Sequence, residues 1–235
     1  MPYRRLPKTD AARLKALKTI IDNNEVYTVR NRVVDWKILN KCQPVYDRLL
    51  TACQQYKVRM DAQKRKNARY PQLLKNATMY LSHFIQVLLM AVERGEIKPQ
   101  TLSLYGLPND ATALPDMRQP DQLLEWGDRI IKGERERIKN KGIQIYNPTI
   151  GKVLTHLDIF REAYMAQKNK QMLTAKALEN IQKLRPEVDE VILELWNQIE
   201  NHYANQPPEV RFRECSKLGV VYYYRRKEEH IFGEF

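Results

Sequence analysis

The chain has 235 residues, 43% of them hydrophobic and 29% charged, with a formal net charge of +12. Its longest unbroken apolar run, residues 87–92, is far too short to cross a bilayer. Its three cysteines show no metal-ligand spacing, and Cys42 and Cys53 on one helix would lie about 16 Å apart, beyond disulfide reach. These features favour reduced thiols and a cytoplasmic protein over a disulfide scaffold or a membrane span. The opening MPYRRLPKTDAARLKALKTII is charged throughout and lacks the apolar core of a secretory signal.

Thr9 is a side-chain cap for a helix over roughly 10–22, with Leu14, Leu17, Ile20 and Ile21 on one side and Asn23-Asn24 at its end. Residues 25–34 read as a connector. Asp35 caps a long helix over 35–69, which would span about 50 Å. Pro44 lies inside that helix and should kink or split it.

Positive charge is concentrated early. Residues 1–70 carry 17 Lys+Arg against 6 Asp+Glu, while the other 165 residues carry 23 against 22. Lys57, Arg59, Lys64, Arg65, Lys66 and Arg69 crowd the far end of the long helix, away from the sector of Leu49, Cys53, Tyr56 and Met60. That placement suits a solvated face. It also makes these six the candidate site for nucleic acid or another polyanion, although base-stacking aromatics and a reading motif are missing.

Pro71 starts a second helix, completing a first hairpin over 35–96. Residues 97–146 form a crossover with four prolines and an accessory helix from Pro120. Leu123, Leu124, Ile130 and Ile131 are that helix's apolar face, and Gly142 stops it. Trp126 reads as a packing residue. Asn147-Pro148 reads as a helix start followed by Ile150, Val153, Leu154, Leu157, Phe160 and Tyr164 at helical spacing. Pro186 reads as the start of the partner helix, with Val188, Ile192, Leu195, Trp196, Ile199 and Tyr203.

This second hairpin, 147–206, echoes the first at a shift of 115 residues. Pro71 matches Pro186, and eleven apolar positions fall in phase, Cys42 with Leu157 and Phe84 with Ile199 among them. An amphipathic hairpin cannot bury its own stripe, so the pair predicts a mostly α single domain built on a four-helix bundle. The last bundle helix carries Glu187, Asp189, Glu190, Glu194 and Glu200 with no Lys or Arg through 186–205, a match for the basic N-terminal third.

After Pro207-Pro208, residues 209–218 read as a short helix ended by Gly219 in the left-handed conformation. Residues 219–226, GVVYYYRR, are the strong strand signal. Residues 142–146, residues 102–105 or the same strand of a second subunit are its candidate partners. Tyr222, Tyr224, Arg225 and Arg226 are the candidate interface, and 230–235 read as a tail. The opening MPYRRLPKTDAARLKALK, the middle LLEWGDRIIKGE followed by IYNPTI, and the ending LGVVYYYRR resemble an uncharacterised family of bacterial helical proteins. The resemblance implies a helical, bundle-like fold and brings no activity.

Signs of chemistry are sparse. None of His83, His156, His202 and His230 has an acidic residue three positions before it, as a di-iron bundle requires. His202 reads as a hydrogen-bonded structural imidazole at the edge of an apolar face. No phosphate-cradling loop, nucleophile elbow or zinc spacing occurs, so no catalytic residue, metal or cofactor is assigned. The leading expectation is a non-enzymatic interaction or scaffold protein working through a protein partner or a homodimer. Polyanion binding through residues 1–70 is the second. The third is a small-ligand or metal-binding bundle with a cavity lined by His202, Tyr80 or Tyr164.

Overall fold

The computed structural model describes residues 2–23, 33–65, 68–226 and 228–231. Among these the chain is mostly helical, with α1 (Asp10–Asp22), α2 (Trp36–Lys64), α3 (Tyr70–Glu93), a 3-10 helix (Pro99–Tyr105), α4 (Pro120–Lys139), α5 (Ile150–His202) and α6 (Pro208–Lys217). Two short strands, β1 (Tyr3–Arg4) and β2 (Tyr222–Tyr223), pair antiparallel. No helix of the described residues is long and apolar enough to cross a membrane.

These elements gather into two compact units, the first from Met1–Ala62 and Leu173–Phe235, the second from Gln63–Met172. The first unit is built around α1, α2, the second part of α5, and α6. Thr9 caps α1 by accepting from the Ala12 amide (3.2 Å), and Leu17 and Ile20 face inward. Leu39, Cys42, Val45 and Leu49 of α2 meet Val188, Ile192, Leu195, Trp196 and Ile199 of α5 in one core. Asp35 holds the start of α2, its carbonyl accepting from the Ile38 and Leu39 amides, and Pro44 does not split that helix.

In the second unit, α3, the 3-10 helix, α4 and the start of α5 enclose another core. Leu81, Phe84 and Leu88 pack there with Leu102, Leu123, Ile130, Val153, Leu157 and Phe160. Pro71 in its first turn and Pro120 at the head of α4 stand where proline costs no intrahelical bond. Trp126 packs on this core with Arg129 over its ring (4.8 Å). Gly133 lets α4 approach the 3-10 helix, since a Cβ there would fall 2.7 Å from the Leu104 carbonyl oxygen.

Three expectations are corrected. The second hairpin does not exist: α5 runs unbroken from Ile150 to His202 with Pro186 inside it. Proline in a helix interior costs about 3 kcal/mol. The apolar stripe nevertheless keeps phase across it, through Ile181, Val188, Leu195 and Ile192, Ile199, all buried. Each such side chain contributes about 1.5–3 kcal/mol on burial, so the stripe outweighs the proline. The buried residues group into two cores, one in each unit. Matched positions separate, Cys42 into the first core and Leu157 into the second.

The helix start is also different. Asn147-Pro148 is a cis peptide just before the helix, and Thr149 stands at the cap, accepting from the Lys152 amide through both its carbonyl (3.0 Å) and its hydroxyl (3.4 Å). Finally, the C-terminal strand pairs with neither of its two expected partners within the chain, residues 142–146 and 102–105. It pairs with the N-terminal segment, Tyr3 opposite Tyr223 and Arg4 opposite Tyr222.

Candidate functional site

The two-stranded sheet sorts its side chains by the ordinary alternation of a strand. Arg4 and Tyr222 point inward and converge on one carboxylate of α5. Arg4 Nη1 donates to Glu200 Oε2 (2.9 Å) and to Asn197 Oδ1 (2.8 Å), and the Tyr222 hydroxyl donates to Glu200 Oε1 (2.6 Å). Tyr222 also meets Phe212 edge-on, with centroids 5.0 Å apart. Burial and the Glu200 carboxylate together push the Tyr222 phenol well above its ordinary range.

The opposite face is exposed. Tyr3 and Tyr223 sit side by side, 37% and 41% accessible, with centroids 6.0 Å apart. Arg225 lies 4.1 Å over the Tyr3 ring. Leu6 and Val221, at 44% and 49%, extend the apolar surface, and the Arg5 amide donates to the Val221 carbonyl to hold the two segments together. Thus Tyr222 is buried, while Tyr223 and Tyr3 take the outward positions. Tyr224 is half-buried and stacks on His230 (4.4 Å), and Arg225 and Arg226 are exposed at the edge.

A cavity of about 620 Å³ opens beside this face, between the segment 5–9, α1 and the turn at Gly219. Arg5, Lys8 and Lys15 stand among its lining residues, and no acidic residue does. Gly219, at φ +91°, closes on α1, where a Cβ would meet Thr19 Cβ at 3.2 Å. Two side chains of the lining bury polar atoms that find no partner among the described residues, Trp196 Nε1 and Ser216 Oγ.

The early positive charge is partly consumed inside the first unit. Arg13 grips Asp189 with two bonds (2.7 and 2.9 Å), Arg48 reaches Glu187, and Arg4 reaches Glu200. Glu194 accepts from Gln198. The expected match between the basic third and the acidic stretch of α5 is therefore made in part by named pairs within this unit.

Of the six candidate polyanion residues, Lys57, Arg59, Lys64, Arg65 and Arg69 are exposed, and Lys66 lies outside the described residues. Lys57 and Arg59 belong to the first unit, Lys64, Arg65 and Arg69 to the second. The tail residues Phe232 and Phe235 also lie outside the described residues.

The second unit holds a buried polar cluster that the sequence reading missed. Glu134 is fully buried on α4 and pairs with Arg137 through two bonds (2.8 and 2.9 Å). The Tyr105 hydroxyl donates to Glu134 Oε2 (2.6 Å) and accepts from Arg137 Nε (2.8 Å). Arg137 Nη2 also donates to the Ile143 carbonyl (2.7 Å). Burial, then the Glu134 carboxylate, push the Tyr105 phenol far above its usual value. The signal was present: Ile130, Glu134 and Arg137 fall at helical spacing on one face, so two charges occupy an apolar seam. The cluster ties the 3-10 helix and the residues after α4 to that helix.

The residues offered for a ligand cavity are otherwise engaged. Tyr80 stacks on His156 (4.0 Å), Tyr164 donates to Asp121 (2.8 Å), and His202 is exposed with its ring edge-on to Tyr203 (4.9 Å), not the hydrogen-bonded edge residue expected. Among the described residues no group of three or more His, Cys, Asp or Glu is placed to hold a metal ion. Comparison with protein-family models, curated proteins and solved structures found no match to this chain.

Proposed function

We propose that this chain is a non-enzymatic interaction protein whose docking surface is the outward face of the β1–β2 sheet, and that its partner is a protein segment combining an apolar anchor with acidic flanks. The observation that carries this reading is the pair Tyr3 and Tyr223, exposed side by side on the two-stranded sheet, with Leu6 and Val221 exposed in the segments next to the strands. Tyrosine and arginine are the residues that dominate binding energy at protein interfaces. Arg5, Arg225 and Arg226 flank the tyrosines and speak for an acidic partner, since complementary charge steers encounter and selects partners. The three cysteines are free, two of them buried, which supports action in a reducing compartment such as the cytoplasm.

Peptide display on the immobilised full chain tests the reading. Selected peptides are expected to pair an aromatic or aliphatic anchor with Asp or Glu, and to lose at least about tenfold in affinity against Tyr3→Ala or Tyr223→Ala, hot-spot truncations of more than 1 kcal/mol. Circular dichroism checks that helix content is kept. Peptides indifferent to both substitutions would sink the proposal.

A further inference from the structure

We infer that a cavity of the second unit, between the end of α3, the end of α4 and the segment 142–146, is a binding site for a small organic phosphate monoester. Its volume of about 730 Å³ falls in the range of pockets that hold small ligands. The carrying observation is one nitrogen of Arg137, a lining residue that is only 6% exposed. Arg137 spends Nε and Nη2 on Tyr105, Glu134 and the Ile143 carbonyl. Its Nη1 makes no hydrogen bond among the described residues. That nitrogen lies against Gly142, another lining residue, where an added Cβ would fall 2.8 Å from it. Unlike the unmet Nε atoms of Arg161 and Arg211, it is not sealed from solvent. A buried arginine therefore holds a fixed cationic donor open to the cavity.

The charges around it select the ligand. The other charged lining residues are Arg94, Glu96, Lys98 and Lys141. Arg94 is spent on Glu96 through two bonds (2.6 and 3.1 Å), and Glu134 balances Arg137 from behind. Lys98 and Lys141 form no ion pair among the described residues, so two lysine charges stay unbalanced. A phosphate monoester carries about −1.5 to −2 near neutral pH and three acceptor oxygens, which matches two ammonium groups and one guanidinium donor. A monocarboxylate would leave one lysine unbalanced. Complementing the helix dipole would explain Lys141, just past the end of α4, but not the free guanidinium donor. Val87, Ala91 and Leu104 give the wall an apolar part, and Ile143 and Tyr146 expose 82% and 73% of their surface in the same lining. The ligand therefore has an apolar or aromatic body beside its phosphate.

The test titrates the full chain with 1-naphthyl phosphate, followed by calorimetry and naphthyl fluorescence. Saturable binding at one molecule per chain is expected. Inorganic phosphate, which lacks the body, and 1-naphthoate, which carries one charge, should each bind at least about tenfold more weakly. Lys98→Gln and Lys141→Gln should each weaken naphthyl phosphate about threefold, and the double variant about tenfold, since both lysines are exposed. Gly142→Ala, which sets a methyl against Nη1, should weaken it at least about tenfold; should that variant fail to fold, the double lysine variant carries the prediction. Arg137 is read directly, through the shift of its guanidinium resonance on titration, because replacing it would also strand Glu134. Tyr3→Ala, in the first unit, should leave binding unchanged, so this site and the docking face fail or stand separately. The inference is overturned by absence of saturable binding, by naphthoate binding as tightly, by affinity indifferent to the double lysine variant, or by an Arg137 resonance that does not move.

Discussion

The Tyr222 hydroxyl and the Glu200 carboxylate meet at 2.6 Å, and through that contact the last strand of the chain is fastened to α5. Arg4 of the first strand uses the other oxygen of the same carboxylate (2.9 Å). One acidic side chain therefore secures both strands. Glu200→Ala should expose the sheet without unfolding the helices, at a cost of about 1–3 kcal/mol for two lost charge-assisted bonds. Hydrogen exchange is the measurement. The Arg5 amide, bonded to the Val221 carbonyl, should lose protection while amides in the middle of α3 keep theirs.

Pro186→Ala should stabilise the protein. The position is exposed inside α5, and an interior proline forgoes one backbone bond and strains the preceding turn. A gain of about 1–3 kcal/mol in urea unfolding is expected, since alanine is the best helix former. If Pro186 instead began a separate helix, the same change would be neutral or harmful, so the midpoint shift decides.

That residue also marks what the sequence could and could not reveal. Stripes at three- and four-residue spacing were legible because burial enforces them: Leu17 and Ile20, Leu123 and Ile130, and Leu195 and Ile199 all sit inside. Local chemistry was legible too, in the Thr9 cap and the left-handed Gly219. Pro186 misled because a local rule was outvoted by side chains on either side of it. Tyr3–Arg4 is too short to show any period, so the partner of the last strand, and with it the face that Tyr3 and Tyr223 share, was invisible. The cavity beside that face was invisible because its lining comes from distant parts of the chain, residues 5–19 and 216–222. Arg13 and Glu134 were readable in principle as charges set in apolar seams.

Two alanine substitutions on glycine should act in opposite directions. Gly133→Ala places a methyl 2.6 Å from Tyr105 Cδ1 and 2.7 Å from a backbone oxygen, which cannot swing aside. The overpacking, about 1–3 kcal/mol, should exceed the helix-propensity gain of about 1 kcal/mol. Gly151→Ala, in the first turn of α5, meets only Thr149 Oγ1 at 4.0 Å and should stabilise by about 0.5–1 kcal/mol. Thermal melts of the pair check both signs at once.

Removing half of the buried ion pair should be worse than removing all of it. Arg137→Met strands the fully buried Glu134 carboxylate, at an expected cost of about 3–5 kcal/mol. Arg137→Met combined with Glu134→Leu leaves no uncompensated charge and should recover part of that loss, though Tyr105 then lacks its partners. A double-mutant cycle in urea supplies the comparison. Equal or greater damage in the double variant would show that the pair itself stabilises the second unit.

Acid should attack the first unit partly through Asp10. Arg185 binds its carboxylate with two bonds (2.9 and 2.8 Å), and Arg13 adds a longer one (3.3 Å). The Arg185 hydrogen bonds first, and then the charges of Arg185 and Arg13, hold the Asp10 carboxyl below its ordinary range, although burial pushes the other way. A carboxyl lowered in the folded state binds fewer protons folded than unfolded at pH values between its two constants. Its contribution is therefore complete above the unfolded value, near 3.9, and is lost as pH falls through that value and the folded one. Asp10→Asn should lower stability at pH 6 and lose less than the parent chain between pH 5 and pH 2. Urea midpoints for both proteins across that window test the sign. Parallel curves would show that Asp10 has the same proton affinity folded and unfolded, and that its bonds to Arg185 contribute nothing measurable.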